Sequence, residues 1–374
     1  MIELSETNAT EYLRTNGRIS PKGEVLVQSL SGGIANIVLK VFDTAAGEKL
    51  GSDPRTPEQI RAGAPDPRTS QGFAFVLKQP LPKFRTAAEW LVDIDRVLVE
   101  RDCMMLLDTL LPAGSVPKVL WYDAENYVLA ISCAPAGSVI WKKALLEGET
   151  SVDAANHAGM LLGIMHSGTD TEADVKKRYG DPKFFIQQRI DPYLRATADK
   201  HPEVATQLNG VAKLQLDGQL CLIHGDFSPK NIFLVPHAGG ATATALSHLL
   251  LLDFEVAFFG HPSFDVATLI NHLLLKAFYQ GKGWRPYMLM ADNFWQTYRH
   301  TADPMLTKAA EMNSGRVLGA LMLARIDGKS PAEYLLGNEP LRDRVRKAAL
   351  DILKQPDGTI ERAFDTVSTH FEKA

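Results

Sequence analysis

Three short apolar runs in the second half of this chain, at residues 220–223, 232–235 and 249–252, each border a polar cluster. The first two flank His224-Gly225-Asp226-Phe227-Ser228-Pro229-Lys230-Asn231, and the third leads into Asp253-Phe254-Glu255. Runs this short, bounded by turn-forming residues, predict buried strands. They commit the chain to presenting carboxylates from the loop between two strands and from the end of a third. A buried carboxylate without a partner is costly. Several placed together hold a metal, serve as a base, or do both.

The remainder of the chain supplies the frame. Its 374 residues are enough for two domains or lobes. With 45% hydrophobic and 22% charged residues it reads as an ordinary globular protein. A net charge of -4 argues against a mainly nucleic-acid-binding role. Cys103, Cys133 and Cys221 lie in apolar surroundings without C-x-x-C spacing, so buried free thiols are expected rather than disulfides or a zinc site. Residues 1–6 do not read as a signal peptide, and no apolar run is long enough to span a bilayer. A cytoplasmic protein without a membrane or nucleic-acid partner is expected. The sequence does not decide between a monomer and a homodimer.

Along the chain, strands dominate the first third. Residues 24–30 and 37–42 read as a hairpin around Ser31-Gly32-Gly33, and residues 73–79 as a strand carrying Lys78. Residues 43–72 are poor in apolar side chains and rich in proline and glycine, which predicts an exposed extension. Residues 87–107 have helical periodicity, with Leu91, Ile94, Leu98 and Met105 as the apolar stripe. A second hairpin follows at 119–132. Beyond residue 135 helices dominate, and from residue 263 onward they are nearly continuous. The expected fold is α+β, a small antiparallel-sheet lobe over residues 1–134 and a mostly helical lobe over 135–374.

Asp226 and Asn231 lie five residues apart in one loop, so both side chains can face one centre. If Asp253 and Glu255 continue a strand, alternation turns both toward that centre as well. Carboxylates and an amide oxygen without cysteine are hard ligands that suit Mg2+, with a nucleotide as the natural partner. Lys78 is expected to pair with a helix acid, either Glu100 or Asp93 or Glu89. Such a pair is how protein kinases hold the α- and β-phosphates. The tip formed by Ser31, Gly32, Gly33 and Asn36 offers backbone N–H groups to phosphates.

The order of these parts resembles the aminoglycoside phosphotransferase and choline kinase family, small-molecule relatives of the protein kinases. The resemblance rests on the Gly tip, Lys78 and its helix, His224-Gly225-Asp226 with Asn231, Asp253-Phe254-Glu255, and residues 260–267. Residues 76–82, Glu100-Arg101, the Asp253-x-Glu255 form and residues 257–260 are similar to the methylthioribose kinase branch. Asn231 and a single arginine, Arg316, depart from that branch, so methylthioribose is not the expected acceptor.

The resemblance implies a two-lobed protein-kinase-like fold and an ATP- and Mg2+-dependent kinase acting on a small-molecule hydroxyl. Asp226 is implied as the catalytic carboxylate. Asn231, Asp253 and Glu255 are implied as the metal residues. Lys78, Glu100 and the Gly tip would hold the phosphates, and backbone near Ile131 and Cys133 the adenine edge. His224 and Asp265 are implied to be structural. Trp284 and Arg316 are candidates for the acceptor site. No dense acidic stretch suits a polycationic aminoglycoside, which favours a neutral or acidic hydroxylated metabolite such as a sugar derivative. An aminoglycoside- or choline-type kinase, a non-catalytic nucleotide-binding module and a metal-dependent hydrolase using His224 and His261 remain the alternatives.

Overall fold

A computed structural model describes residues 1–22, 24–30, 35–43, 74–85, 90–237 and 246–372. The expected Gly tip at Ser31, Gly32 and Gly33 and nearly all of the extension at 43–72 lie outside them. The chain divides into two compact units, Met1–Thr109 with Val116–Pro135, and Leu110–Ser115 with Ala136–Ala374. Among the described residues, no helix is long and apolar enough to cross a membrane.

In the first unit, strands β1 (Val25–Ser29), β2 (Asn36–Asp43), β3 (Ala74–Pro80), β4 (Val119–Asp123) and β5 (Val128–Ser132) form one antiparallel sheet ordered β1-β2-β3-β5-β4. Helix α1 (Ala9–Thr15) precedes the sheet, and helix α2 (Arg96–Leu110) follows β3. Val41, Phe75, Leu77, Leu120, Trp121 and Ala130 form the buried core with Leu13 of α1. The register places Lys78 opposite Val38 and Leu129, in the middle of the sheet.

Helix α2 begins later than its periodicity predicts. Residues 90–95 are not helical, and Leu91, paired with Lys83 in an isolated bridge, is exposed. The buried face is Val97, Glu100, Met104 and Leu107, rather than a stripe through Leu91, Ile94, Leu98 and Met105. Arg96 fixes the start of the helix, its Nη2 donating to Leu81 O at 3.0 Å. The polar Glu100 is therefore on the inner face, on the helical side that its spacing from Val97, Met104 and Leu107 in the sequence gives it.

The second unit has two small sheets. Strands β6 (Val139–Ile140), β8 (Ile232–Pro236) and β9 (Leu246–Leu251) form one, and β7 (Cys221–Ile223) and β10 (Phe258–Gly260) form the other. Residues 110–115 belong to this unit because Leu251 N donates to Ser115 O at 2.8 Å. Among the described residues, its α-helices of six residues or more are α3 (Trp141–Leu146), α4 (Val152–Ser167), α5 (Ala173–Tyr179), α6 (Ala205–Asp217), α7 (Ser263–Gln280), α8 (Arg285–Thr301), α9 (Pro304–Asp327), α10 (Glu339–Leu353) and α11 (Ile360–Glu372). A π-helical segment, Ile186–Arg195, lies between α5 and α6 and contains Pro192. Proline cannot donate to a helical ladder, and wide turns of this kind concentrate at functional sites.

Candidate active site

The loop between β7 and β8 is held by its own polar groups. Asp265, fully buried in the first turn of α7, accepts from His224 N at 2.6 Å and Gly225 N at 2.9 Å. His224 Nε2 donates to Leu252 O at 2.9 Å, so its Nδ1 is the acceptor, and Asp226 N approaches it at 3.3 Å. Both ring nitrogens are thereby engaged in positioning backbone, and neither serves as a free base. Leu252 N closes the arrangement by donating to Asn231 O at 2.9 Å. Gly225 has φ +74°, and a Cβ there would meet Val256 O at 2.6 Å, so only glycine fits.

Asp226 sits at the centre of this loop with one oxygen crowded by donors. Its Oδ2 lies 3.0 Å from Arg189 Nη2, 2.8 Å from Lys230 Nζ and 2.9 Å from Asn231 Nδ2. Arg189 comes from the π-helical segment and also donates from Nε to Gly225 O at 2.7 Å. Burial by itself raises a carboxyl pKa, but the charges of Arg189 and then Lys230 outweigh it and hold Asp226 below the ordinary value. The group is therefore a carboxylate near neutral pH. Its Oδ1 carries no hydrogen bond among the described residues. Asn231 Nδ2 also bonds Asp226 O at 3.0 Å, so both of its hydrogen bonds to Asp226 run from the amide NH2.

The second polar cluster is built differently from the strand end that the pattern predicts. β9 stops at Leu251, Asp253 adopts φ +70°, and Glu255 lies in a turn. It is the left-handed residue, not strand alternation, that brings the two side chains together, with carboxylate oxygens within 4.8 Å of one another. Non-glycine residues rarely adopt that conformation, and it concentrates at functional sites. The donors are two carboxylates and an amide oxygen, with no thiolate or imidazole. Their chemistry fits Mg2+.

In the first unit, Lys78 Nζ meets Glu100 Oε1 at 2.5 Å, both side chains being almost fully buried. Of the acids open to Lys78 in the sequence, Glu100 is in contact with it, and Glu89 lies outside the described residues. Asn36 is buried beside Arg96 at the start of β2. Ile131 is buried in β5 and Cys133 follows that strand half-buried, its thiol pKa raised by burial.

Two expected acceptor residues belong elsewhere. Trp284 stacks on Phe371 of α11 at 4.8 Å, with the Arg285 guanidinium over the Trp284 ring at 4.8 Å. Arg316 donates to Pro356 O at 3.2 Å and lines a surface groove with Gly210, Lys213, Leu214 and Asp217. Among the described residues, neither has a contact with Asp226; both sit among the C-terminal helices. Arg189 and Lys230 are the site residues the sequence reading misses. Lys230 was findable, because it stands four residues from Asp226 in the same loop. Arg189 carries no local signal.

The model of the phosphotransferase enzyme family matches residues 68–303 of this chain. Methylthioribose kinase of Yersinia pseudotuberculosis serotype O:3 is 26% identical over 299 residues, which cover 73% of this chain and 64% of the relative. Methylthioribose kinase of Citrobacter koseri is 26% identical over 298 residues, covering 72% of this chain and 65% of the relative. The chain thus spans just under two thirds of the length of these curated relatives. Among solved structures, Plasmodium vivax ethanolamine kinase aligns over 100% of this chain and 89% of its own, with a TM-score of 0.51 and 12% identity, a likeness of fold.

Proposed function

Because this chain belongs to the phosphotransferase enzyme family, we propose that it transfers the γ-phosphoryl group of ATP, with Mg2+, to a hydroxyl of a small metabolite such as a sugar derivative. The observation that carries the reading is the state of Asp226. One oxygen is fixed by Arg189, Lys230 and Asn231, and the other is left for a ligand. Phosphoryl transfer asks little covalent chemistry of the protein and much positioning. A carboxylate with a lowered pKa is a weak base but a fixed hydrogen-bond acceptor. Asp226 Oδ1 orients the acceptor hydroxyl and takes its proton late, as the bond to phosphorus forms.

Asn231 and Asp253 would hold Mg2+, with Glu255 as a further ligand or the partner of a bound water. Bound there, the ion neutralises charge on the phosphate oxygens. Lys78, oriented by Glu100, would hold the α- and β-phosphates. Backbone near Ile131 and Cys133 would take the adenine edge. A hydrolase reading is disfavoured by the histidines. His224 is spent on backbone, and His261 Nδ1 is bonded to Ser263 Oγ at 2.7 Å.

The test is a coupled ADP-release screen of hydroxylated metabolites with MgATP. At least one compound should raise ADP release over the blank, and Asp226→Asn should lower that turnover by roughly 10²- to 10⁴-fold. Near-wild-type turnover by Asp226→Asn on a confirmed acceptor would remove the assignment.

A further inference from the structure

The second unit holds a group of cations that the reading above does not use. Lys276 lies in α7 and is fully buried. Its ammonium donates to His272 O at 3.2 Å and sits 5.3 Å from the centre of the Tyr334 ring, with no carboxylate within salt-bridge distance among the described residues. Arg325 of α9 is almost buried. Its Nη1 donates to both Ser330 O and Ser330 Oγ, its Nη2 makes a long ion pair with Glu333 at 4.0 Å, and its Nε is buried without a partner. Lys142 of α3 pairs with Glu333, the acid shared by this whole group. Tyr334 Oη is also buried and unpartnered. Lys142, Tyr193, His272 and Tyr334 are each half-buried, so the group reaches solvent.

The group adjoins the catalytic loop. Helix α3 packs against both the Pro229–Asn231 turn and α7, and the π-helical segment that carries Arg189 and Tyr193 packs against α9. Burial, and then the positive charges of Lys276, Arg325, Lys230 and Lys142, hold the His272 pKa well below its ordinary value. Burial, then Lys142 and Arg325, pull the Lys276 pKa down to about 7, and Glu333 opposes them only in part. Three cations around one acid, with unpartnered donors inside, make a place where an anion is stabilised and a cation is not.

Resting on the phosphotransferase reading, we propose that the acceptor is an acidic hydroxylated metabolite whose carboxylate or phosphate is held by Lys276, Arg325 and Lys142 while its hydroxyl meets Asp226. A neutral polyol leaves the Lys276 charge and the buried Arg325 Nε unanswered, and a cationic amino sugar is repelled.

The test is thermal unfolding of the wild-type protein with D-glycerate, glycerol 3-phosphate or glycerol at equal ionic strength, and separately with MgATP. Lys276→Met is measured in parallel, because replacing a buried lysine by an apolar side chain of similar length preserves packing. At least one of the two acids should stabilise the wild type beyond glycerol. Which acid does so distinguishes a hydroxy acid from a sugar phosphate. Lys276→Met should lose that shift, with about a 10- to 100-fold weaker midpoint, and keep its response to MgATP. The proposal fails if both acids act like glycerol, or if Lys276→Met responds as the wild type does. Absence of any MgATP shift in the wild type would instead overturn the nucleotide reading, and the two failures are separable.

Discussion

Replacing Arg189 by Met tests whether the Asp226 clamp is a working part of the molecule. Arg189 and Asp226 are both nearly buried, at 9% and 6% side-chain exposure. Removing one member of such a pair costs about 3–5 kcal/mol when nothing else compensates. Here Lys230 and Asn231 remain on the same oxygen, so the charge imbalance should cost about 2 kcal/mol. Loss of the bond from Nε to Gly225 O adds about 1 kcal/mol. The sum of about 3 kcal/mol corresponds to a fall in Tm of roughly 6–12 °C for a unit of this size. Thermal unfolding of wild type and variant across pH reads the effect. The folded-state pKa of Asp226 is lowered, so its contribution to stability is present above the unfolded value, about 3.9, and is lost as pH falls through the folded value. In Arg189→Met the folded value rises, that contribution shrinks at pH 7, and the gap from wild type should narrow below about pH 4. A variant within about 0.5 kcal/mol of wild type, with a gap that does not change with pH, would refute the clamp.

Asp253→Gly keeps a backbone that accepts the φ of +70° but removes the carboxylate, so nucleotide turnover should fall while the fold is retained; ADP release and circular dichroism check the two halves. Gly225→Ala should lose about 2–3 kcal/mol, because the new Cβ meets the backbone oxygen of Val256 and cannot be accommodated by a rotamer change; circular dichroism melts read this directly. Lys276 has a folded pKa of about 7, below its ordinary 10.5, so wild-type stability should rise with pH between those values and level off below pH 7. In Lys276→Met that rise should disappear from urea titrations taken across pH 6–10.

The parts of the site that can be read from sequence are the ones set by local spacing. Asp226 and Asn231 share a loop between apolar strands, and His224 and Asp265 tie that loop through short hydrogen bonds. The sheet and the helical remainder follow from periodicity in the same way. Elements set by packing are less legible. The start of α2 at Arg96, later than the periodicity suggests, is not announced by the apolar stripe. The left-handed turn at Asp253 has no glycine to announce it. Arg189 reaches Asp226 only because a π-helical segment far upstream packs beside the loop. Arg316 looks unsupported in an apolar helix, yet its partner is a carbonyl forty residues on, Pro356 O. Trp284 looks free for a ligand until α11 is seen to cover it.

Phosphorus NMR of MgATP incubated with the protein and a confirmed acceptor tests the central claim most directly. The γ-phosphorus signal should decline while a phosphomonoester resonance grows in step with ADP, and Asp226→Asn should leave the spectrum unchanged over the same interval. Release of inorganic phosphate alone, or an equal phosphomonoester signal from Asp226→Asn, would contradict it.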